Sequence, residues 1–184
     1  MLAQAFGADT IGIDLATEFK FDNAGSAPAR LMVMDARNLE FEDTSFDLVY
    51  SYHVLEHIVP GSELALSEMA RVLCPEGAFV VGTPNRLRMI GYFGVSVRYH
   101  VWWNVADMWM RLTGRWTNEA GAHAGFSEND LCERCASAFG QAEPITDAYY
   151  QTLYRNRAHL VDVLIKSGLK TVIYPSVYVF GIKK

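Results

Sequence analysis

The stretch from Leu31 to Asn85 decides the fold, and it reads LMVMDARNLEFEDTSFDLVYSYHVLEHIVPGSELALSEMARVLCPEGAFVVGTPN. An apolar run ends at Asp35, and a short acidic loop leads to a second apolar run, Phe46–Tyr50. A polar loop, an amphipathic helix at 62–73 and a turn then precede a third apolar run at 78–82. Strands that alternate with a helix predict a mostly parallel sheet, because parallel strands need crossover connections.

The remaining sequence continues this alternation. Ser62 and Ser127 are the predicted N-caps of two helices, since a serine oxygen can accept from the first free backbone N–H groups. The C-terminal strands are expected to form an antiparallel edge. The elements predicted outside the central stretch are the end of a helix at 2–6, a strand at 10–13, a polar loop at 18–28, helices at 127–139 and 153–167, and strands at 141–149 and 177–182.

Composition narrows the classes of function. The chain of 184 residues is long enough for one domain with a real core. Its net charge of −5 gives no support for nucleic-acid binding, and no basic cluster stands out. The N-terminus has no basic region followed by a long apolar core, so no signal peptide is predicted. Three cysteines, an odd number, favour a reducing compartment, and we therefore expect a cytoplasmic protein.

Cys132 and Cys135 form a single C-x-x-C motif inside a predicted helix. A zinc or redox role would need further ligands or a strand-turn-helix setting. We favour the interpretation that both are small apolar residues on one helix face, and we predict no metal site.

Two acidic residues end successive predicted strands. Asp14 closes TIGID, where a carboxylate can accept from both hydroxyls of a ribose. Asp35 closes LMVMD, where a carboxylate beside a backbone N–H can bind an adenine edge. A turn-forming or capping role is the alternative for each, but two acids in equivalent positions favour a nucleotide-like ligand.

The loop SYHVLEH, residues 51–57, follows the next strand. A histidine that titrates near neutral pH can act as a general base, and His53 and His57 are the candidates. Local capping or pairing is the alternative for Glu56 and His57. The helical H-E-x-x-H pattern of a zinc site is absent.

Several segments together resemble the class I S-adenosylmethionine-dependent methyltransferases, in particular the small-molecule branch that includes the ubiquinone-pathway O-methyltransferases. They are GIDLA at 12–16, MDARNLEFEDTSFDLVYSYHVLEHI at 34–58, EMARVLCPEGAFVVGTPN at 68–85 and, more weakly, GAHAGFSENDL at 121–131. The resemblance implies a Rossmann-like, doubly wound α/β sheet and S-adenosyl-L-methionine as cofactor. It also implies methyl transfer to a small acceptor.

The resemblance also implies roles for particular residues. In that family the acid after the second strand binds the ribose, which corresponds to Asp14 with its neighbour Leu15. The acid after the third strand lies by the adenine, which corresponds to Asp35, with Ala36 offering its N–H. The loop after the fourth strand lies along the methionine end of the cofactor. It corresponds to Ser51, Tyr52 and His53, followed by Leu55, Glu56 and His57.

The chain departs from the family in one respect. No G-x-G-x-G loop occurs in this sequence, although the family places one after its first, central strand. We expect a single methyltransferase domain over 1–184 that lacks the first strand and glycine loop, and we favour N-terminal truncation as the reason. The alternative is a non-catalytic binding or scaffolding subunit that has lost the donor site. A nicotinamide dehydrogenase would share the ribose acid, but its glycine fingerprint is missing too.

An aromatic-rich insertion at about 86–120 contains all four tryptophans. Family members often cover their substrate with an insertion at this point, so the segment predicts an apolar or aromatic acceptor. A peripheral membrane contact, a dimer contact and a helix pair packed on the domain are the alternatives.

Overall fold

The structure is a computed structural model that describes residues 7–15, 29–89 and 97–184. The predicted helix end at 2–6 and the polar loop at 18–28 lie outside the described residues. The strands are β1 (Thr10–Asp14), β2 (Ala29–Val33), β3 (Phe46–Tyr52), β4 (Leu73–Pro84), β5 (Glu143–Pro144) and β6 (Ser176–Ile182). The helices are α1 (Ser62–Val72), α2 (Val97–Leu112), α3 (Glu128–Phe139), α4 (Thr146–Leu153), α5 (Ala158–Ser167) and α6 (Lys170–Ile173), with 3₁₀ turns at Leu55–His57 and Arg155–Arg157.

The strands form two groups. β1 pairs with β2 in parallel, and a second sheet has the order β3-β4-β6-β5. β3 is parallel to β4, whereas β6 is antiparallel to both of its neighbours. The predicted α/β fold with an antiparallel C-terminal edge is therefore confirmed.

No strand lies between β1 and β3 among the residues that the structure describes. The two groups nevertheless share one hydrophobic cluster, in which Ile13 of β1 and Val49 of β3 pack around Met34, Leu39 and Val72. In the family that the sequence resembles, a central strand is expected at this place.

The main core lies on one face of the larger sheet, under α1 and α3. Phe79 of β4 stacks on Phe139 of α3, with ring centroids 3.9 Å apart, and both rings are fully enclosed. Ser127 caps α3 as predicted, because its Oγ accepts from the backbone N–H of Asp130 at 3.2 Å. This packing fixes the strand ends that carry the candidate site.

Two predictions at the element level are wrong. The predicted strand at 141–149 is confirmed only at Glu143–Pro144, and a helix begins at Thr146, where the buried side chains Thr146 and Tyr150 are four residues apart and share one helix face against β6. Ser62 is not the N-cap of α1. Gly61 holds that position with φ of +121°, a conformation that favours glycine.

A loop from the C-terminal half is tied to the end of β4. Asn85 forms a parallel bridge with Phe126, and Gly125, at φ of +73°, lies so close that a Cβ atom there would be 1.8 Å from the carbonyl oxygen of Pro84. The side chain of Asn118 accepts from the Gly125 N–H at 2.8 Å. The loop therefore brings His123 to the strand ends.

None of the helices in the described ranges is long and apolar enough to cross a membrane.

Candidate active site

The two predicted acids lie at adjacent strand ends. Because β1 and β2 are parallel and in register, the backbone N–H of Met34 donates to the carbonyl of Asp14 at 2.9 Å, and Asp35 follows directly. Leu15 extends beyond Asp14 and is 65% exposed, while Ala36 packs partly against the main core. The structure thus places all four residues at one edge of the sheet.

Asp35 is held as an anion. Arg37 donates to its carboxylate from Nη2 at 2.6 Å, from Nε at 3.0 Å and from its own backbone N–H at 2.9 Å. These hydrogen bonds keep the pKa of Asp35 below its usual range. The carboxylate is therefore ionised at neutral pH and oriented by Arg37 as an acceptor.

The end of β3 alternates between the two faces of its sheet. Ser51 is buried, and its Oγ has no hydrogen-bond partner among the described residues. Tyr52 points to the opposite, more exposed face. His53 then takes a left-handed conformation with φ of +56° and donates its N–H to the carbonyl of Gly82 at 2.9 Å. This turn directs the His53 ring towards β6.

Tyrosine rings form a wall beside His53. Tyr52, Gly82 and Tyr178 are neighbours across three strands, and the missing side chain of Gly82 lets the rings of Tyr52 and Tyr178 stack with centroids 5.8 Å apart. Tyr149 of α4 stacks on Tyr178 at 4.0 Å, and the Tyr52 ring lies 4.1 Å from that of His53. The result is a phenolic, mainly apolar surface next to a potential base.

His53 is held from both sides. Its Nε2 lies 3.0 Å from Oγ of Ser176, and its Nδ1 lies 3.7 Å from Oε1 of Glu56. Burial, the charge of Arg88 and the neighbouring His57 lower the pKa of His53, so the ring is neutral at neutral pH.

Glu56 lies between two histidines in a buried position. Its side chain is 1% exposed, and its Oε1 is also 3.8 Å from Nε2 of His57. Burial raises the pKa of Glu56 to about 7. The ring of His57 contacts that of His123 with centroids 4.3 Å apart, and burial lowers its pKa. The loop therefore concentrates groups that titrate around neutral pH.

Arginine and tryptophan side chains of the aromatic segment pack against one another. The guanidinium groups of Arg88 and Arg111 lie 5.4 and 4.4 Å from the ring of Trp116, and Arg111 donates to the carbonyls of Arg86 and Arg88. Asp107 of α2 is buried near both arginines. The outer side of α2 instead carries exposed apolar side chains at helical spacing: Trp102, Val105, Met108, Trp109 and Leu112.

The structure brings the predicted residues together in two groups. Asp14 and Asp35 come together at one strand edge, and Tyr52, His53 and His57 come together at another. Ser176, Tyr178 and His123 were missed, since tertiary contacts alone bring them to the loop. No grouping of metal-binding residues occurs among the residues described, and Cys132 and Cys135 lie on α3 as free thiols.

Comparisons with known proteins indicate a methyltransferase domain. Residues 1–81 match the family described as "Methyltransferase domain". The chain is 34% identical to the sterol 4-C-methyltransferase strm-1 of Caenorhabditis elegans over 83 residues, which are 41% of this chain and 25% of that protein. It is 35% identical to the chloroplastic tocopherol O-methyltransferase of Arabidopsis thaliana over 89 residues, 45% of this chain and 25% of the relative.

Solved structures show the same fold. The phosphoethanolamine N-methyltransferase 2 of Haemonchus contortus, in complex with S-adenosyl-L-methionine, superposes on 99% of this chain and 44% of its own, with a TM-score of 0.55 and 20% identity. The family match covers residues 1–81, and the fold of the chain is that of the S-adenosylmethionine-dependent methyltransferases among these solved structures. Its aligned stretch spans one quarter of the length of each of the two relatives named above.

Proposed function

We propose that this chain takes part in methyl transfer from S-adenosyl-L-methionine to a small, apolar or aromatic acceptor. The observation that carries the proposal is the pair of acids at adjacent parallel strand ends, Asp14 and Asp35, in a chain of this family. The interpretation as a non-catalytic subunit is not favoured, because the relatives named above are methyltransferases. In this proposal residues 1–184 form one domain, with 86–120 as its acceptor-side insertion.

The residues present fit the adenosine half of the cofactor. Asp14, with Leu15 beside it, would accept from the ribose hydroxyls, and Asp35 with the N–H of Ala36 would bind the adenine edge. The unpartnered buried hydroxyl of Ser51 lies next to Tyr52 at the strand end proposed for the methionine half. When bound, the cofactor supplies a methyl group activated by its sulfonium charge.

The chemistry required of the protein is mainly positioning. Transfer is in-line, so the acceptor must be held close to the methyl carbon and aligned with it. For a hydroxyl acceptor, His53 or His57 would remove the proton, since both rings are neutral at neutral pH.

The tyrosine wall supports an apolar or aromatic acceptor. Tyr52, Tyr149 and Tyr178 offer stacked ring surface directly beside His53. The names of two relatives contain tocopherol and sterol, which are apolar ring compounds. A phenolic acceptor would combine ring stacking with a hydroxyl group near the base.

The exposed stripe of α2 supports a peripheral contact with a membrane. Trp102 and Trp109 lie on it together with three aliphatic side chains, and tryptophan favours the membrane–water interface. Such a contact would give the site access to acceptors dissolved in the lipid. A dimer contact through 86–120 is the competing outcome.

The experiment incubates the protein with labelled S-adenosyl-L-methionine and a panel of acceptors, with methylhydroquinone as the phenolic probe. Label transferred to the phenol, and less to an equally polar aliphatic alcohol, is the expected result. No transfer to any hydroxyl, amine or carbon acceptor in the presence of bound cofactor would contradict the proposal.

A further inference from the structure

The environment of Glu56 is not explained by packing alone. Its carboxyl group is enclosed, and Oε2 has no hydrogen-bond partner among the described residues. A buried carboxyl group without full hydrogen bonding destabilises a fold, and an apolar side chain of similar size would avoid that cost. Its other oxygen, Oε1, lies 3.7 Å from Nδ1 of His53 and 3.8 Å from Nε2 of His57.

The two imidazoles differ in the protein groups that their ring nitrogens face. Nε2 of His53 is hydrogen-bonded to the hydroxyl of Ser176 at 3.0 Å, and Nδ1 lies 3.7 Å from Oε1 of Glu56, so both nitrogens face groups of the protein. His57 turns Nε2 towards Glu56, and its Nδ1 has no hydrogen-bond partner in the part of the chain that is described. Its side chain is 49% exposed, so an acceptor can reach it.

We propose that Glu56 is a positioning residue that orients both imidazoles and leaves Nδ1 of His57 as the atom that takes the acceptor's proton. This inference rests on the proposed function. The acceptor oxygen forms its bond to the methyl carbon while the electron pair of the carbon–sulfur bond stays on sulfur. The hydroxyl proton moves to Nδ1 of His57, and the carboxylate of Glu56 then faces the imidazolium at Nε2.

The other groups around Glu56 are consistent with this role. The charge of Arg88 favours the ionised carboxyl group, which burial opposes. His123, which lies in the loop after Asn118, contacts the ring of His57. Asp107 of α2 lies near Arg88 and balances its charge. Because Oε1 of Glu56 lies within 4 Å of both imidazoles, we expect the carboxyl group and the two rings to titrate as a coupled set.

The test does not require an active enzyme. Histidine side-chain resonances are followed by NMR as a function of pH in the whole chain, in the wild type, in Glu56→Gln and in the control Glu133→Gln, whose side chain is exposed on α3. In the wild type and in the control, we expect the chemical shift of His57 to change in two steps as the pH is varied. One of these steps reports the titration of the Glu56 carboxyl group. In Glu56→Gln a single step should remain, while exposed His159 is unchanged in all three proteins.

Turnover with methylhydroquinone supplies the second measurement. We expect Glu56→Gln to lower kcat by about 10-fold or more, with the KM for the phenol changed less than about twofold, and to move the acid limb of the pH profile. Glu56→Leu serves as a second variant, since an apolar side chain of similar volume keeps the core filled.

The outcomes separate the two proposals. A single His57 step in wild type and variant alike, or equal kcat and pH profiles, would overturn the role of Glu56. Absence of turnover in the wild type contradicts the proposed function instead, and the NMR titration still decides the role of Glu56.

Discussion

Burial raises the pKa of the Glu56 carboxyl group into the neutral range, so its protonated and ionised forms are both present at neutral pH. Its pKa rises from 4.5 to about 7 on folding, so between these values the folded protein binds more protons than the unfolded chain. The stability that this group contributes is full below about pH 4.5 and is lost as the pH rises through about 7. The wild type should therefore lose up to about 3 kcal/mol relative to Glu56→Gln across this range.

Urea unfolding of both proteins at about pH 5 and about pH 8 measures this difference. His53 and His57 have lowered pKa values and change stability in the opposite sense, but they are present in both proteins. A stability difference that is the same at both pH values would contradict the buried, protonated carboxyl group.

His57 is the second prediction at the residue scale. Changing His57→Ala should lower turnover by about 100-fold or more without changing the affinity for S-adenosyl-L-methionine, because the proposed function places its ring at the acceptor and not at the adenosine. Calorimetry and a transfer assay with methylhydroquinone measure the two quantities. His159→Ala removes an exposed imidazole from α5 and is the matched control. Unchanged turnover in His57→Ala would exclude it as the base.

At the scale of elements, Gly82 of β4 allows Tyr52 of β3 and Tyr178 of β6 to stack across it. A Cβ atom at Gly82 would lie 2.8 Å from the Tyr178 ring and 2.9 Å from the Tyr52 ring. Gly82→Ala should therefore cost about 1–3 kcal/mol of unfolding free energy, measured by urea denaturation.

A double-mutant cycle isolates the cause. Introducing Gly82→Ala into a Tyr178→Leu background should cost less, because a flexible side chain can move aside. Equal costs in both backgrounds would show that the stacked rings are not what excludes a side chain at Gly82.

The outer stripe of α2 gives a prediction about membranes. Trp102→Ser with Trp109→Ser should reduce sedimentation with phosphatidylcholine vesicles by about 10-fold or more, since the two indoles are its largest exposed apolar groups. Leu153→Ser, at an exposed position on α4, is the control and should have no effect. Binding to vesicles that is unchanged by the tryptophan substitutions would contradict the membrane contact, and loss of a dimer instead would identify the stripe as a subunit interface.

Most elements could be predicted from local hydrophobic patterns, because residues typical of turns and helix caps mark where each pattern begins or ends. The strand ending at Asp14, the helix capped by Ser127 and the closing strand were all located from sequence. The helix that begins at Thr146 was not predicted, and the reason is physical. Thr146 and Tyr150 are buried by contact with β6. The local sequence does not indicate whether side chains four residues apart or side chains two residues apart will be buried there, so it does not distinguish a helix from a strand.

The whole molecule joins two predicted half-sites. The adenosine side depends on adjacent strand ends, which a parallel sheet brings together by its topology, and the sequence could therefore anticipate Asp14 and Asp35. The acceptor side depends on β6, α4 and the loop before α3, which return to the sheet from far along the chain. Ser176 lies 123 residues from the His53 ring that it holds, and no sequence pattern encodes that contact.

The most direct test of the account is calorimetric titration of this chain with S-adenosyl-L-methionine. We predict saturable binding that Asp14→Ala weakens by about 10-fold or more, because the ribose hydroxyls lose a charged acceptor. Asp9→Ala removes an exposed carboxylate just before β1 and should leave the affinity unchanged. Absence of binding in the wild type, or equal loss in both variants, would contradict a cofactor site at the ends of β1 and β2.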